Sequence, residues 1–337
     1  MPLRSLVSFL LALSLLPLAS QAEEPKRGQI LGGVMHSAPD YFKESFLEIA
    51  EDVDEATEEG RHVMLFFQLN ACPYCDRMLS ESFEADPNMS FIQEHFDVIA
   101  INIGGDREVV FDENTSVTEK QLGEMLKVAA TPAIVFLNAE NQQVVRVNGY
   151  RAPSRFHTVL RYVSSKAYES STLADFMATE LDENQYTPIE NPRFENIADL
   201  ASVEGPLLLI FEDSTCLDCP EFHQRTLARE DVGVELDKFT VVRLNTDSMQ
   251  EIIAPDGSKT TAKALAAKHD MLYRPGTLVL DGGEIHRRSD SLLFHFHFKE
   301  GLRYVADGYY KKMTYQDYSE QRREELLASG IDIDLGR

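Results

Sequence analysis

The sequence predicts an α/β protein of two successive domains, each a mixed central sheet flanked by helices. Three observations carry that expectation. Short apolar runs of strand length alternate with helical stretches, the pattern of a sheet covered on both faces. The series recurs once, displaced by 142 to 144 positions. The chain has 337 residues, enough for about two domains of ordinary size, each with its own core.

Residues 1–22, MPLRSLVSFLLALSLLPLASQA, carry one positive charge at Arg4, an apolar stretch from Leu6 to Leu18, and small residues at Ser20 and Ala22. This is the pattern of a secretory signal cleaved after Ala22. A retained anchor is the rival, but the apolar core is shorter than the roughly 20 residues that cross a bilayer. No later segment has the length and apolarity of a span, so the mature chain is expected to lack one and to work outside the cytoplasm. An N-terminal segment, 23–40, leads into the first copy, 41–170. There an acidic amphipathic helix (FLEIAEDVDEATEEG) precedes a buried strand (HVMLFFQLN), a C-x-x-C turn opening a helix, and a second strand (VIAIN). A polar hairpin-like stretch (FDENTSVTE), a helix, a strand led by Pro132, another strand and a closing helix follow. Residues 171–190 read as a polar, proline-bearing linker. The second copy, 191–320, repeats the order from FENIADLASVEG onward, and 321–337 reads as a charged helix ending in a fraying tail.

Five landmarks hold the two copies in register. Cys72 and Cys75 fall on Cys216 and Cys219; VMLFF falls on LLLIF; VIAIN ending at Asn102 falls on VVRLN ending at Asn245; Pro132 falls on Pro275; LRYV at 160 falls on LRYV at 302. A nearly constant offset over five landmarks is duplication. Two copies make a tandem, since a solenoid needs three or more.

With 32 lysines and arginines against 56 acids the net charge is -24. Such a surface repels nucleic acid and anionic lipid, so neither is an expected partner. The four cysteines all belong to C-x-x-C pairs, which leaves none to cross-link distant segments as a secreted scaffold would. Two inert local disulfides would remove little unfolded-state entropy, because the loops they close are short. A cysteine where a strand meets a helix sits at the positive end of the helix dipole, which favours the thiolate that attacks disulfides. Cys72 and Cys216 are therefore the candidate nucleophiles, and Cys75 and Cys219, one turn later, the resolving thiols. About 60 residues after each pair, Pro132 and Pro275 open an apolar strand. A cis X-Pro bond there would free the preceding residue, Thr131 or Arg274, to pair with an extended substrate peptide.

Strand, C-x-x-C, helix, strand, helix, Thr-Pro, strand, strand, helix resembles the thioredoxin superfamily. Copy one is especially similar to the SoxW-like periplasmic thioredoxins, through FFQLNACPYCDRM, TEKQLGEMLKVAATPAIVFLNAENQQVVRVNGY and FHTVLRYVSSKAY. The resemblance implies two tandem thioredoxin-fold domains and a periplasmic thiol:disulfide oxidoreductase. It further implies no cofactor, protein disulfides as substrates, and a membrane electron donor of the DsbD kind. Four departures bear on it. Ala71 and Thr215 stand where the family usually has Trp. Phe66 and Ile210 stand where it has a buried acid, so proton handling must differ. CPYC is a spelling familiar from glutaredoxins, with Tyr74 as a substrate-contact candidate, but copy one shows no cationic pocket for glutathione. In copy two, Asp218 should disfavour the Cys219 thiolate while Arg274 favours that of Cys216, and Arg274 would either crowd the substrate groove or grip an acidic partner.

Rival readings remain open. Cys216, Cys219 and His223 form C-x-x-C-x-x-x-H, suited to a copper or zinc chaperone, against which His223 reads as a helix-surface residue one turn past Cys219 and the thiols need no metal to be explained. His295 and His297 in FHFHF read as strand-like alternation with Phe294, Phe296 and Phe298 facing inward. A docking scaffold built on copy two is a third possibility, and a disulfide oxidase or isomerase a fourth.

Overall fold

A computed structural model describes residues 26–128, 130–179 and 186–336; the expected signal segment lies outside them. A short strand β1 (Ile30–Leu31) comes first. Copy one then runs α1 (Ile49–Glu58), β2 (His62–Gln68), α2 (Pro73–Met78), α3 (Asn88–His95), β3 (Phe96–Asn102), β4 (Glu108–Asp112), β5 (Thr115–Thr118), α4 (Glu119–Met125), β6 (Ala133–Leu137), β7 (Gln143–Asn148), α5 (Pro153–Ser164) and α6 (Leu173–Thr179). Copy two runs β8 (Leu207–Glu212), α7 (Cys219–Glu221), α8 (Glu230–Leu236), β9 (Thr240–Asn245), β10 (Glu251–Ile253), β11 (Lys259–Thr261), α9 (Ala262–Lys268), β12 (Gly276–Asp281), β13 (Glu284–Ser289), α10 (His295–Ala306) and α11 (Tyr315–Ala328), and β14 (Ile333–Asp334) closes the chain.

The expected mixed sheets are present. Each has four strands, in the orders β3-β2-β6-β7 and β9-β8-β12-β13. The central strand runs parallel to one neighbour and antiparallel to the other, β2 with β3 and β6, β8 with β9 and β12. Alternation along the central strands sorts the cores. Val63, Leu65 and Phe67 face α1 and α4, while Leu207, Leu209 and Phe211 face α9. Met64 and Phe66, with Leu208 and Ile210, face the C-x-x-C side, where both copies merge into one continuous apolar cluster.

The duplication extends to a local irregularity. The helix after each C-x-x-C widens into a π turn, at Leu79–Phe83 and at Phe222–Leu227. The polar stretches are antiparallel hairpins, β4 with β5 and β10 with β11. Thr118 and Gln121 form a capping box at α4, and Thr261 caps α9.

Four local readings need correction. FENIADLASVEG forms only a 3-10 turn, Leu200–Ser202; its apolar residues Ile197, Leu200 and Val203 recur every three positions and pack on the β8 sheet. FHFHF is the start of α10, not a strand. Phe294 and Phe298, four apart, lie in the core while Phe296 is only partly covered, the spacing of a helix face. The segment read as linker contains α6, matched in copy two by α11, so the repeat is one helix longer than the sequence suggests. The C-terminal tail does not fray: β14 pairs in parallel with β1, Ile30 opposite Ile333. Side chains at Gly28 and Gly32 would collide with the backbone at Ile331 and Gly336, so glycine allows this close approach.

Candidate dithiol site

In copy one, β2 carries the chain to Cys72, which has extended backbone and caps α2. Pro73 follows as the first helical residue, a position where its missing N–H costs nothing. Cys72 Sγ accepts the backbone N–H of Cys75 at 3.1 Å and lies 3.4 Å from Thr131 Oγ1. Thr131–Pro132 is cis, and Gly149 N–H donates to Pro132 O at 2.7 Å. Cys72 and Cys75 are joined as a disulfide with their Cα atoms 5.2 Å apart. Cys72 is 6% exposed and Cys75 fully buried, the ranking expected of an attacking and a resolving sulfur.

Copy two differs in how its helix begins. Cys216 and Cys219 are also disulfide-bonded, Cα atoms 5.5 Å apart, but the helix starts only at Cys219, with Asp218 as its N-cap. Pro220 explains the shift, because the proline again fixes the first turn. Cys216 is 2% exposed and its N–H goes to Asp213 O. Arg274–Pro275 is cis. The Arg274 guanidinium pairs with Asp213 at 2.9 Å and donates to Thr246 Oγ1, Met271 O and Tyr273 O. It is thus committed within its own copy. Burial pushes the Arg274 pKa down, opposed by Asp213. Asp213 is held below the usual carboxylate range because Arg274 and the Thr215 and Thr246 hydroxyls outweigh its burial.

Burial also pushes the Asp218 carboxyl up to about 6, against the pull of Arg77 and Arg151 and with a further push from Glu221 and Glu81. Beside it is a cleft of about 30 Å3, bounded by Thr215, Leu217 and Asp218 and by Arg151, Arg155 and Met177 of copy one. Arg155 donates to Thr215 O across it at 2.7 Å.

Tyr74 is turned into copy two. Its ring stacks on Phe294 with centroids 4.2 Å apart. Its hydroxyl accepts the Phe294 N–H at 2.7 Å, which leaves its proton for His297 Nδ1 at 3.3 Å. Burial pushes the His297 imidazole down to about 4, so it is neutral and able to accept.

His223, weighed as a metal ligand, is buried and bonded through Nε2 to Glu212 Oε1 at 2.6 Å. Glu212 also accepts from the Tyr186 hydroxyl. Among the described residues no three His, Cys, Asp or Glu side chains converge as a metal site requires. Sequence reasoning missed the Glu212–His223 pair. Its signal was there: a carboxylate ending the otherwise apolar run LLLIFE, on the face shared with Ile210. It also missed Arg77, which donates to Glu81 and Glu221 and lies 3.9 Å from the centre of the Tyr150 ring. No described helix is long and apolar enough to cross a membrane.

Residues 49–164 match the thioredoxin-like domain family. No curated protein matches the chain. Among solved structures, the chain is similar to a thioredoxin-fold protein from Helicobacter pylori, at 23% identity and TM-score 0.32, covering 36% of this chain and 80% of that one. A thioredoxin from Thermus thermophilus matches at 24% identity and TM-score 0.29, covering 35% and 85%. The NTD_N/C domain of alkylhydroperoxide reductase AhpF from Enterococcus faecalis matches at 12% identity and TM-score 0.27, covering 76% and 97%. The chain therefore carries a thioredoxin-like domain over residues 49–164, within a mixed α/β architecture whose two four-stranded sheets are consistent with two such domains.

Proposed function

We propose that the protein is a periplasmic thiol:disulfide oxidoreductase that reduces disulfides in client proteins. The observation that carries the reading is Cys72 Sγ at a helix cap, receiving the Cys75 N–H at 3.1 Å and lying 3.4 Å from Thr131. A thiolate there is stabilised by the N–H it accepts and by the helix dipole. In the reduced protein the Cys72 thiolate attacks one sulfur of the client disulfide, forming a mixed disulfide and releasing one client thiolate. The Cys75 thiolate then attacks Cys72 Sγ, releases the second client thiolate, and leaves the protein disulfide seen here. Two electrons from a donor of the DsbD kind restore the dithiol. Thr131 and Pro132 dock the client backbone, and Cys216 with Cys219 performs the same exchange in copy two. A secretory signal at 1–22 delivers the chain to the periplasm.

Insulin-disulfide reduction by the reduced protein tests the reading, with Cys72→Ser and Cys216→Ser as partial knockouts. Each substitution is expected to remove the contribution of its own copy. Absence of turnover by fully reduced wild-type protein would overturn the proposal.

A further inference from the structure

The two faces that carry the C-x-x-C pairs are packed on each other with approximate two-fold symmetry. Arg77 and Glu221 occupy equivalent positions, two residues after the resolving cysteine of each copy, and they meet at 2.9 Å. Equivalent residues in direct contact mark the axis of an isologous interface. Away from that axis the contacts are reciprocal. Tyr74, between the cysteines of copy one, is stacked and hydrogen-bonded on Phe294, the N-cap of α10. Its counterpart Asp218 shares a cleft with Arg151 and Ala152, the latter the N-cap of α5. The start of each closing helix therefore covers the dithiol loop of the other copy. Arg151 adds a cation-π contact, 3.5 Å from the centre of the Tyr273 ring, next to the proline turn of copy two.

We propose that each copy occupies the surface through which the other receives a client protein, so that a bulky partner reaches the dithiols only after the copies separate, while in the closed form only Cys72, the most exposed of the four cysteines at 6%, is open to a small reagent. The client part of this inference rests on the oxidoreductase reading; the closed contact does not. Charged pairs also cross the contact. The Arg151–Asp290 pair is loose at 3.8 Å. The contact thus combines the shared apolar cluster with charged pairs. The cleft beside Asp218, at about 30 Å3, is too small for a strand of peptide.

The test is thiol labelling of the phosphine-reduced protein, comparing iodoacetamide with a polyethylene-glycol maleimide of several kilodaltons. Wild type is expected to take the small reagent, at Cys72 first, faster than the bulky one. Phe294→Ala, which removes the stack on Tyr74, is expected to raise bulky-reagent labelling of Cys72 on the order of tenfold and leave the small-reagent rate nearly unchanged. Glu221→Gln, a milder change retained in case the first variant misfolds, is expected to move the ratio in the same direction, with a larger radius of gyration by X-ray scattering. Equal access of both reagents in wild type would overturn the proposal. So would a shield that neither substitution lifts. Labelling needs no turnover, so a protein inactive on insulin would remove the oxidoreductase reading and leave this measurement intact.

Discussion

The substitution Asp218→Asn should stabilise the protein in a pH-dependent way. The side chain lies at the copy-copy contact, and its carboxyl is raised from 3.8 to about 6, burial outweighing Arg77 and Arg151. A carboxyl whose folded pKa exceeds its unfolded value holds its proton more tightly when folded. The stability this contributes is fully present below about pH 4 and is lost as pH rises through about 6. A shift of about 2 units is worth at most about 3 kcal/mol at about 1.4 kcal/mol per unit. The group is partly exposed, so solvent screening reduces the figure to about 1–2 kcal/mol. The amide of the variant does not titrate. Urea unfolding with the disulfides intact should therefore show the variant gaining on wild type by that amount between about pH 4 and pH 7.5. A difference that is flat with pH, or that shrinks as pH rises, would refute the reasoning.

Other substitutions test other parts of the account. His223→Ala leaves the buried Glu212 side chain with the Tyr186 hydroxyl alone, and should cost about 1–3 kcal/mol in urea unfolding; a negligible change would mean that the pair is not the buried hydrogen bond described. Phe83→Ala empties a fully buried site that packs on Phe42, Phe66 and Phe156, and should destabilise copy one by about 3–5 kcal/mol; near-neutrality would contradict that packing. Gly28→Val should part β1 from β14 and speed limited proteolysis near the N-terminus, because its side chain has no room beside Ile331; unchanged cleavage would show that the strands tolerate the separation.

Local pattern reveals much of this architecture, and the rest is legible only in three dimensions. The runs VMLFF and LLLIF, the turns at Cys72 and Cys216, and the prolines at 132 and 275 each announce themselves through period and punctuation, and their common offset exposes the duplication. Tyr74 is different. Its partners Phe294 and His297 lie more than 200 residues away, and nothing in CPYC shows that the tyrosine is covered by the other copy. Arg274 shows the same limit, since its charge was visible but its commitment to Asp213 was not. FHFHF misled because alternation over five residues outweighed the i, i+4 spacing of Phe294 and Phe298. The pairing of β1 with β14 joins two stretches too short to signal a strand.

The central claim is that the Cys72 sulfur attacks and the Cys75 sulfur resolves. Trapping tests it most directly, in a chain whose Cys216 and Cys219 are serine and whose Cys75 is also serine. Incubated with an oxidised unfolded client, that chain should accumulate a covalent mixed disulfide that maps to Cys72 and is released by an added thiol. Failure to form the adduct, while the matching chain with Cys72 replaced and Cys75 kept does form one, would reverse the roles and contradict the account.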